Sequence, residues 1–190
     1  MLSYTLEMFI EDCREKISRG RPPADCVEMI APSMFQLLNG DTSFLQPQHF
    51  RGDPVHYARN AIYIDENDTM SLFALVWLPG QWTPIHDHGT WGVVGVFEGT
   101  LEERNFIRTD GQRSDALEGI ELVRGGVILL SAGAVTSFVP NPDHIHITGN
   151  ADPQRRVVSL HLYGRTMAGF HTYDRETGTR EWIEASYNES

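Results

Sequence analysis

Lysine is nearly missing from this 190-residue chain: of its 15 cationic residues, 14 are arginines and one, Lys16, is a lysine. Schiff-base or lysine general-base chemistry would rest on that one residue in a polar N-terminal segment, which argues against both. Cysteine is scarce as well. Cys13 and Cys26 are too few for a disulfide framework, and the opening MLSYTLEMFIEDCREK has no basic n-region or A-x-A cleavage site. Two reduced, inert thiols in a cytoplasmic protein are expected. No apolar run approaches the roughly 18 to 20 residues of a membrane span, so no membrane partner is expected. Excess positive charge is also absent: 15 cations against 26 acids leave a net charge of −11, a field that repels polyphosphates and argues against nucleic acid. With 41% hydrophobic and 22% charged residues, what remains has the composition of an ordinary globular protein. Without repeats or linkers, the chain reads as a single domain over 1–190, with a helical cap at 1–50 and strands over 55–178.

Residues 5–18 place Leu6, Phe9, Ile10, Cys13 and Ile17 at helical spacing, closed by Gly20. A second helical stretch over 24–38 is expected to be interrupted by Pro32 and stopped by Asn39-Gly40. Beyond about residue 55, short β-branched and aromatic runs recur between Gly, Pro, Asn and Asp clusters. They cover 57–64, 70–78, 82–88, 91–98, 100–107, 120–123, 127–130, 135–139, 144–148, 157–164 and 169–174, the pattern of an all-β barrel or jelly roll behind a small N-terminal helical cap.

Six of the eight histidines lie in the strand-rich part: His86, His88, His144, His146, His161 and His171. His86 and His88 are two apart, so on a strand both rings point to one face and can meet one ion. Asp87 then faces the other way and is expected to serve a turn or a hydrogen bond rather than ligation. Two hydrogen-bonded surface histidines would explain a bare H-x-H equally well. Ser159-Leu160-His161-Leu162-Tyr163 alternates so that Ser159, His161 and Tyr163 share one face, and three inward polar side chains must satisfy one another or a ligand. Trp77, Trp82 and Trp91 flank the H-x-H motif and read as core or as pocket walls. Glu98 reads as a structural strand-end acid, and His49, His56 and His171 as surface or structural residues.

Gly80-x5-His86-x-His88 with Gly99 resembles the first motif of the cupins. Gly125, Ser131-Ala132-Gly133 and His146-x3-Asn150 resemble the second. This likeness over 80–150 implies a cupin double-stranded β-helix with a metal inside. The glutamate that many cupins carry four or five residues after the second histidine is replaced by Gly92 and Val93, which leaves a three-histidine site. His144 and His146 share a strand face, and His146 is preferred because it alone keeps the x3-Asn spacing. With S-x-H-x-Y added, the constellation is similar to the thiol dioxygenases, the cysteine dioxygenase family. Tyr57-x-Arg59-Asn60 and Phe170-x3-Asp174-x2-Thr177-Gly178 extend the likeness from about 57 to 178.

That resemblance implies Fe(II) on His86, His88 and His146, with a small thiol carboxylate and dioxygen as partners, a sulfinic acid as product, and a monomer. Arg59 would clamp the substrate carboxylate through its planar fork, with Tyr57 beside it; a surface salt bridge to Asp53, Asp65 or Glu66 is the competing reading of Arg59. Tyr163 would donate a hydrogen bond into the site, His161 would orient its hydroxyl, and Ser159 would set the His161 tautomer. Arginine at position 59 resembles the members acting on L-cysteine, of bacterial type. The alternatives are 3-mercaptopropionate or mercaptosuccinate as substrate, a non-catalytic metal-binding cupin, or a cupin oxygenase cleaving a diketone. Animal members carry, near Gly92, a cysteine crosslinked to the tyrosine; this chain has none, so Tyr163 is expected to be free.

Overall fold

The computed structural model describes residues 3–17, 20–111, 116–140 and 144–189. Ser18, the last residue of the expected first helix, lies outside them. Helix α1 spans Leu6–Lys16 with Thr5 as its N-cap, and α2 spans Pro23–Asn39, starting on a proline whose missing N–H costs nothing in the first turn. The expected interruption at Pro32 does not occur. Pro32 and Glu28, whose carbonyl loses its helical donor, are both exposed, where water can replace that donor, and α2 continues through Pro32.

Ten strands follow: β1 Ala58–Ile64, β2 Ser71–Trp77, β3 Gly92–Glu98, β4 Thr100–Arg108, β5 Leu122–Ser131, β6 Val135–Phe138, β7 Ile145–Gly149, β8 Val157–Tyr163, β9 Gly169–Asp174 and β10 Thr179–Glu184. One sheet has the order β1-β2-β8-β3-β6, a second has β5-β4-β7, and β9 pairs with β10. Named pairings are antiparallel throughout. The chain winds between the sheets, as at Gly99 (φ +81°), which joins β3 of the first sheet to β4 of the second. This is the double-stranded β-helix with an N-terminal helical cap that the motifs imply.

Three local expectations are corrected. Residues 82–88 form no regular strand: Pro84 has no N–H for a ladder, and isolated bridges from Trp82 to Gly149 and from His86 to His146 and Thr172, with backbone bonds from Thr83 to Thr148 and from Asp87 to His171, hold the segment. Runs 120–123 and 127–130 belong largely to one strand, β5. Gly125-Gly126 lies opposite the single Asn105 of β4 in a bulge, so the glycines are an irregularity within the strand and not a turn. Finally, the likeness of 170–178 to the family's C-terminal hairpin is met by β9 and β10, but the second strand runs over Thr179–Glu184, past the expected end of the barrel at residue 178.

β2 and β8 are buried on both faces. Outward, Leu72, Ala74, Leu160 and Leu162 pack with Phe9, Ile30, Met34 and Leu37 of the helices. Inward, Phe73, Leu75, Trp77 and Tyr163 join Val94, Val96 and Phe170. The helices approach closely at Gly95, where a β-carbon would lie 2.8 Å from Leu38 and 2.9 Å from Met34. Capping one sheet with helices thus leaves its other face to line the barrel interior. Among the described residues, no helix is long and apolar enough to cross a membrane.

Candidate metal centre and active site

His86 and His146 are brought together by their backbones, each amide donating to the other's carbonyl at 2.9 and 3.0 Å. His88 completes a triangle with ring centroids 4.7 to 4.9 Å apart, and one nitrogen from each ring lies within 4.8 Å of the others. All three are buried. Burial, and then the crowding of neighbouring imidazoles, holds His86 and His88 well below the ordinary histidine pKa. Burial also lowers His146. The rings are therefore neutral, the state that ligates a metal.

Hydrogen bonds decide which nitrogens are offered. His86 Nδ1 lies 3.1 Å from the Pro84 carbonyl and donates to it, which leaves Nε2 as the nitrogen available to a metal. His146 Nδ1 faces the Glu103 carboxylate at 3.4 Å, while its Nε2 is buried without a hydrogen-bond partner, as is His88 Nδ1. Converging neutral imidazoles with an orphaned buried nitrogen fit a divalent cation, and imidazole suits iron, zinc, copper or nickel.

Sequence reasoning missed Glu103. No carboxylate follows the H-x-H motif, yet one enters the site from β4: Glu103 is 4% exposed and also lies 3.2 Å from His144 Nε2. Burial alone would raise its pKa; contacts with His144 and His146 outweigh this and hold the group well below the usual carboxylate range. Glu103 lies against both rings, and His144 Nε2 is itself 3.1 Å from His146 Nδ1, so His144 sits beside the triangle, between the carboxylate and His146, without joining it. Glu103, His144 and His146 also have ligand atoms within 4.8 Å of one another. The signal in the sequence was parity, since Glu103 is two residues from the buried Leu101.

The remaining candidates converge on the same cavity. Tyr57, Arg59, Trp77, His161, Tyr163 and the histidine triangle line it, and it is small, about 30 Å³ open to water. Arg59 is 8% exposed and makes no ion pair among the described residues, which overturns the surface salt-bridge reading. It donates to the Met167 and Ser186 carbonyls at 2.8 and 3.3 Å and lies over the Phe73 ring. Behind His161, Ser159 Oγ lies 2.9 Å from Nε2, and Tyr163 Oη lies 3.2 Å from Nδ1. Burial raises Tyr163 well above the ordinary tyrosine pKa, so its hydroxyl keeps its proton.

Other expectations can be placed as well. Asp87 turns away from the triangle, as expected, accepting from Tyr173 Oη at 2.8 Å and from the His171 amide at 3.1 Å. Glu98 pairs with Arg156, and His49 Nδ1 accepts from the Gln46 amide. Trp91 belongs to the core under the helices, whereas Trp77 is fully buried and also lines the cavity. Cys13 and Cys26 are free and buried; burial raises both, Cys13 to about 12. Phe138, missed from the sequence, stacks on His88 with centroids 4.1 Å apart and fills the space next to Gly92.

A family model described as cysteine dioxygenase type I matches residues 46–176. A curated zebrafish (Danio rerio) protein, cysteine dioxygenase type 1, is 26% identical over 137 residues, 71% of this chain and 64% of the relative's length. Among solved structures, a Klebsiella pneumoniae protein with a double-stranded β-helix domain aligns with a TM-score of 0.49 and 18% identity, over 70% of this chain and 99% of that one. A cupin-like protein from Thermotoga maritima aligns with a TM-score of 0.45 and 16% identity, over 74% and 89%.

Proposed function

The chain belongs to the cysteine dioxygenase type I family, and on that premise we propose that it is an iron(II) thiol dioxygenase converting a small thiol carboxylate, L-cysteine above others, to its sulfinic acid. The balance is RSH + O2 → RSO2H, with sulfur oxidised and dioxygen reduced. The observation that carries the substrate class is Arg59, a buried guanidinium without an ion-pair partner among the described residues, lining the same small cavity as the histidine triangle. A buried cation calls for an anion.

His86, His88 and His146 would hold the iron; when bound, it supplies redox chemistry and favours the thiolate form of the substrate. Arg59 would bind the carboxylate, its fork kept in place by the Met167 and Ser186 carbonyls. Tyr163 would point its hydroxyl at the reacting atoms, with His161 and Ser159 holding it from behind. Phe138 and Phe170 would exclude water from the cavity they line.

The test is oxygen consumption by ferrous-reconstituted protein with L-cysteine, cysteamine, 3-mercaptopropionate and mercaptosuccinate, with the product identified by mass. Uptake with cysteine at one dioxygen per sulfinate is expected, and little with cysteamine, which lacks the carboxylate. No uptake with any thiol despite bound iron would overturn the reading. Arg59→Gln should raise the Michaelis constant by tenfold or more, the weight of about 1.5–3 kcal/mol for a charged hydrogen-bonded pair, with iron content unchanged. Unaltered kinetics would remove Arg59 from the site.

A further inference from the structure

Trp77 donates its indole N–H to Ser159 Oγ at 2.9 Å, and both residues are fully buried. The contact follows from register: Ser159 of β8 lies opposite Leu75 of β2, so Trp77 is its diagonal neighbour on the same face, within reach of a long aromatic side chain. Tyr57 stacks on the indole at 4.6 Å and 19° and fixes its plane. We propose that Trp77 is a positioning residue that sets the direction of the whole Ser159–His161–Tyr163 row, so that the Tyr163 hydroxyl offers the cavity a proton and not a lone pair. The consequence for catalysis rests on the function proposed above; the direction of the row does not.

The argument is a count of donors and acceptors. An indole nitrogen can only donate, so Ser159 Oγ must accept from Trp77. Among the described residues the Ser159 hydroxyl proton then has a single acceptor, His161 Nε2, at 2.9 Å. An accepting Nε2 in a neutral ring places the ring proton on Nδ1. The ring is neutral because burial, followed by the neighbouring His146 and Arg59, lowers His161 to about 3. Nδ1–H therefore donates to Tyr163 Oη, 3.2 Å away. Tyr163 receives that bond from behind, and its own proton, held on by burial, is left for a ligand in the cavity. The opposite direction has Nε2–H donating to a serine oxygen that already accepts from Trp77. It would leave the buried serine proton with no acceptor, an arrangement native proteins avoid. An anion bound at Arg59, or dioxygen being reduced nearby, would thus meet two donors, the guanidinium and the phenol.

Long-range proton–nitrogen NMR on metal-free protein labelled with 15N-histidine tests the direction whether or not any thiol is oxidised. The expected wild-type result is a neutral His161 protonated on Nδ1 and unchanged from pH 6 to 8. A proton on Nε2 would overturn the proposal with no variant needed. Trp77→Phe keeps a ring to stack on Tyr57 but removes the donor. A second His161 tautomer should then become populated, a change in ratio of roughly tenfold for the loss of one hydrogen bond. A single Nδ1–H tautomer in Trp77→Phe would mean that something other than Trp77 sets the direction. In the iron-loaded enzyme the same variant should lower kcat by roughly tenfold with KM and iron content held. An unchanged kcat would overturn the catalytic consequence while leaving the oxygenase reading intact.

Discussion

Glu103 gathers the two histidines at the start of β7 onto one carboxylate, with contacts of 3.2 Å to His144 and 3.4 Å to His146. A carboxylate behind a ligating imidazole orients the ring and raises its basicity. Glu103→Gln is therefore expected to weaken divalent-cation affinity by roughly 10- to 100-fold, read by equilibrium titration; unchanged affinity would show that the carboxylate does not act through His146. Gly92 is the second residue on which much turns. A β-carbon there would lie 2.3 Å from the Phe138 ring, so Phe138 occupies the space that a cysteine at this position would need. Gly92→Cys should cost roughly 1–3 kcal/mol in chemical denaturation, part of it recovered in the double variant with Phe138→Leu. Equal losses in single and double variants would show that the two residues do not compete. The H-x-H pair and the S-x-H-x-Y row were legible because each is a short local pattern, whereas Arg59 and His146 were singled out by the family resemblance. Glu103, Phe138 and the Trp77 donor were not, because their contacts with His144 and His146, with Gly92 and His88, and with Ser159 span 41 or more positions, across a strand pairing or an inter-sheet gap that no local spacing encodes.

The elements were legible where hydrophobic period and punctuation agree. Both helices and most strands fall within a few residues of their expected limits. The misreadings came from prolines and glycines judged by their local preference alone. Pro32 reads as a break, but α2 buries Ile30, Met34 and Leu37 while Pro32 stays on the solvent side, and that packing outweighs one lost hydrogen bond. Pro32→Ala should then stabilise the protein by roughly 1–2 kcal/mol, the gain in helix propensity less the added entropy of the unfolded chain. A loss of stability would show that Pro32 contributes to seating α2 on the sheet. Gly125-Gly126 separates two expected runs, yet these residues absorb an irregularity opposite Asn105 and let β5 run on.

For the molecule as a whole, the buried imidazoles link stability to pH. His161, lowered to about 3 by burial, stays unprotonated in the folded chain down to that pH, whereas in the unfolded chain it takes up a proton near 6.5. Between those values the unfolded state binds more protons, so stability is full above about 6.5 and falls as pH drops toward 3, by up to about 1.4 kcal/mol per pH unit for this one group. The lowered pKa values of His86, His88 and His146 act in the same direction. The metal-free protein should lose stability in urea from pH 7 to pH 5, above the range in which its carboxylates titrate, and His161→Gln should flatten that slope; a flat wild-type profile would contradict buried neutral histidines. The sequence by itself indicated the all-β class and the helical cap, and placed His86 with His88, and Ser159 with His161 and Tyr163, on shared strand faces, because period and spacing are properties of neighbouring residues; that His146 belongs with the first pair came from the family resemblance. Only the tertiary structure decided that Glu103 rather than a residue after the H-x-H motif brings the carboxylate, that Phe138 closes the space at Gly92, and that Trp77 stands behind Ser159. Those relations are set by which strands pair and which sheet faces which, and burial then fixes the charge and hydrogen-bond direction of every group inside.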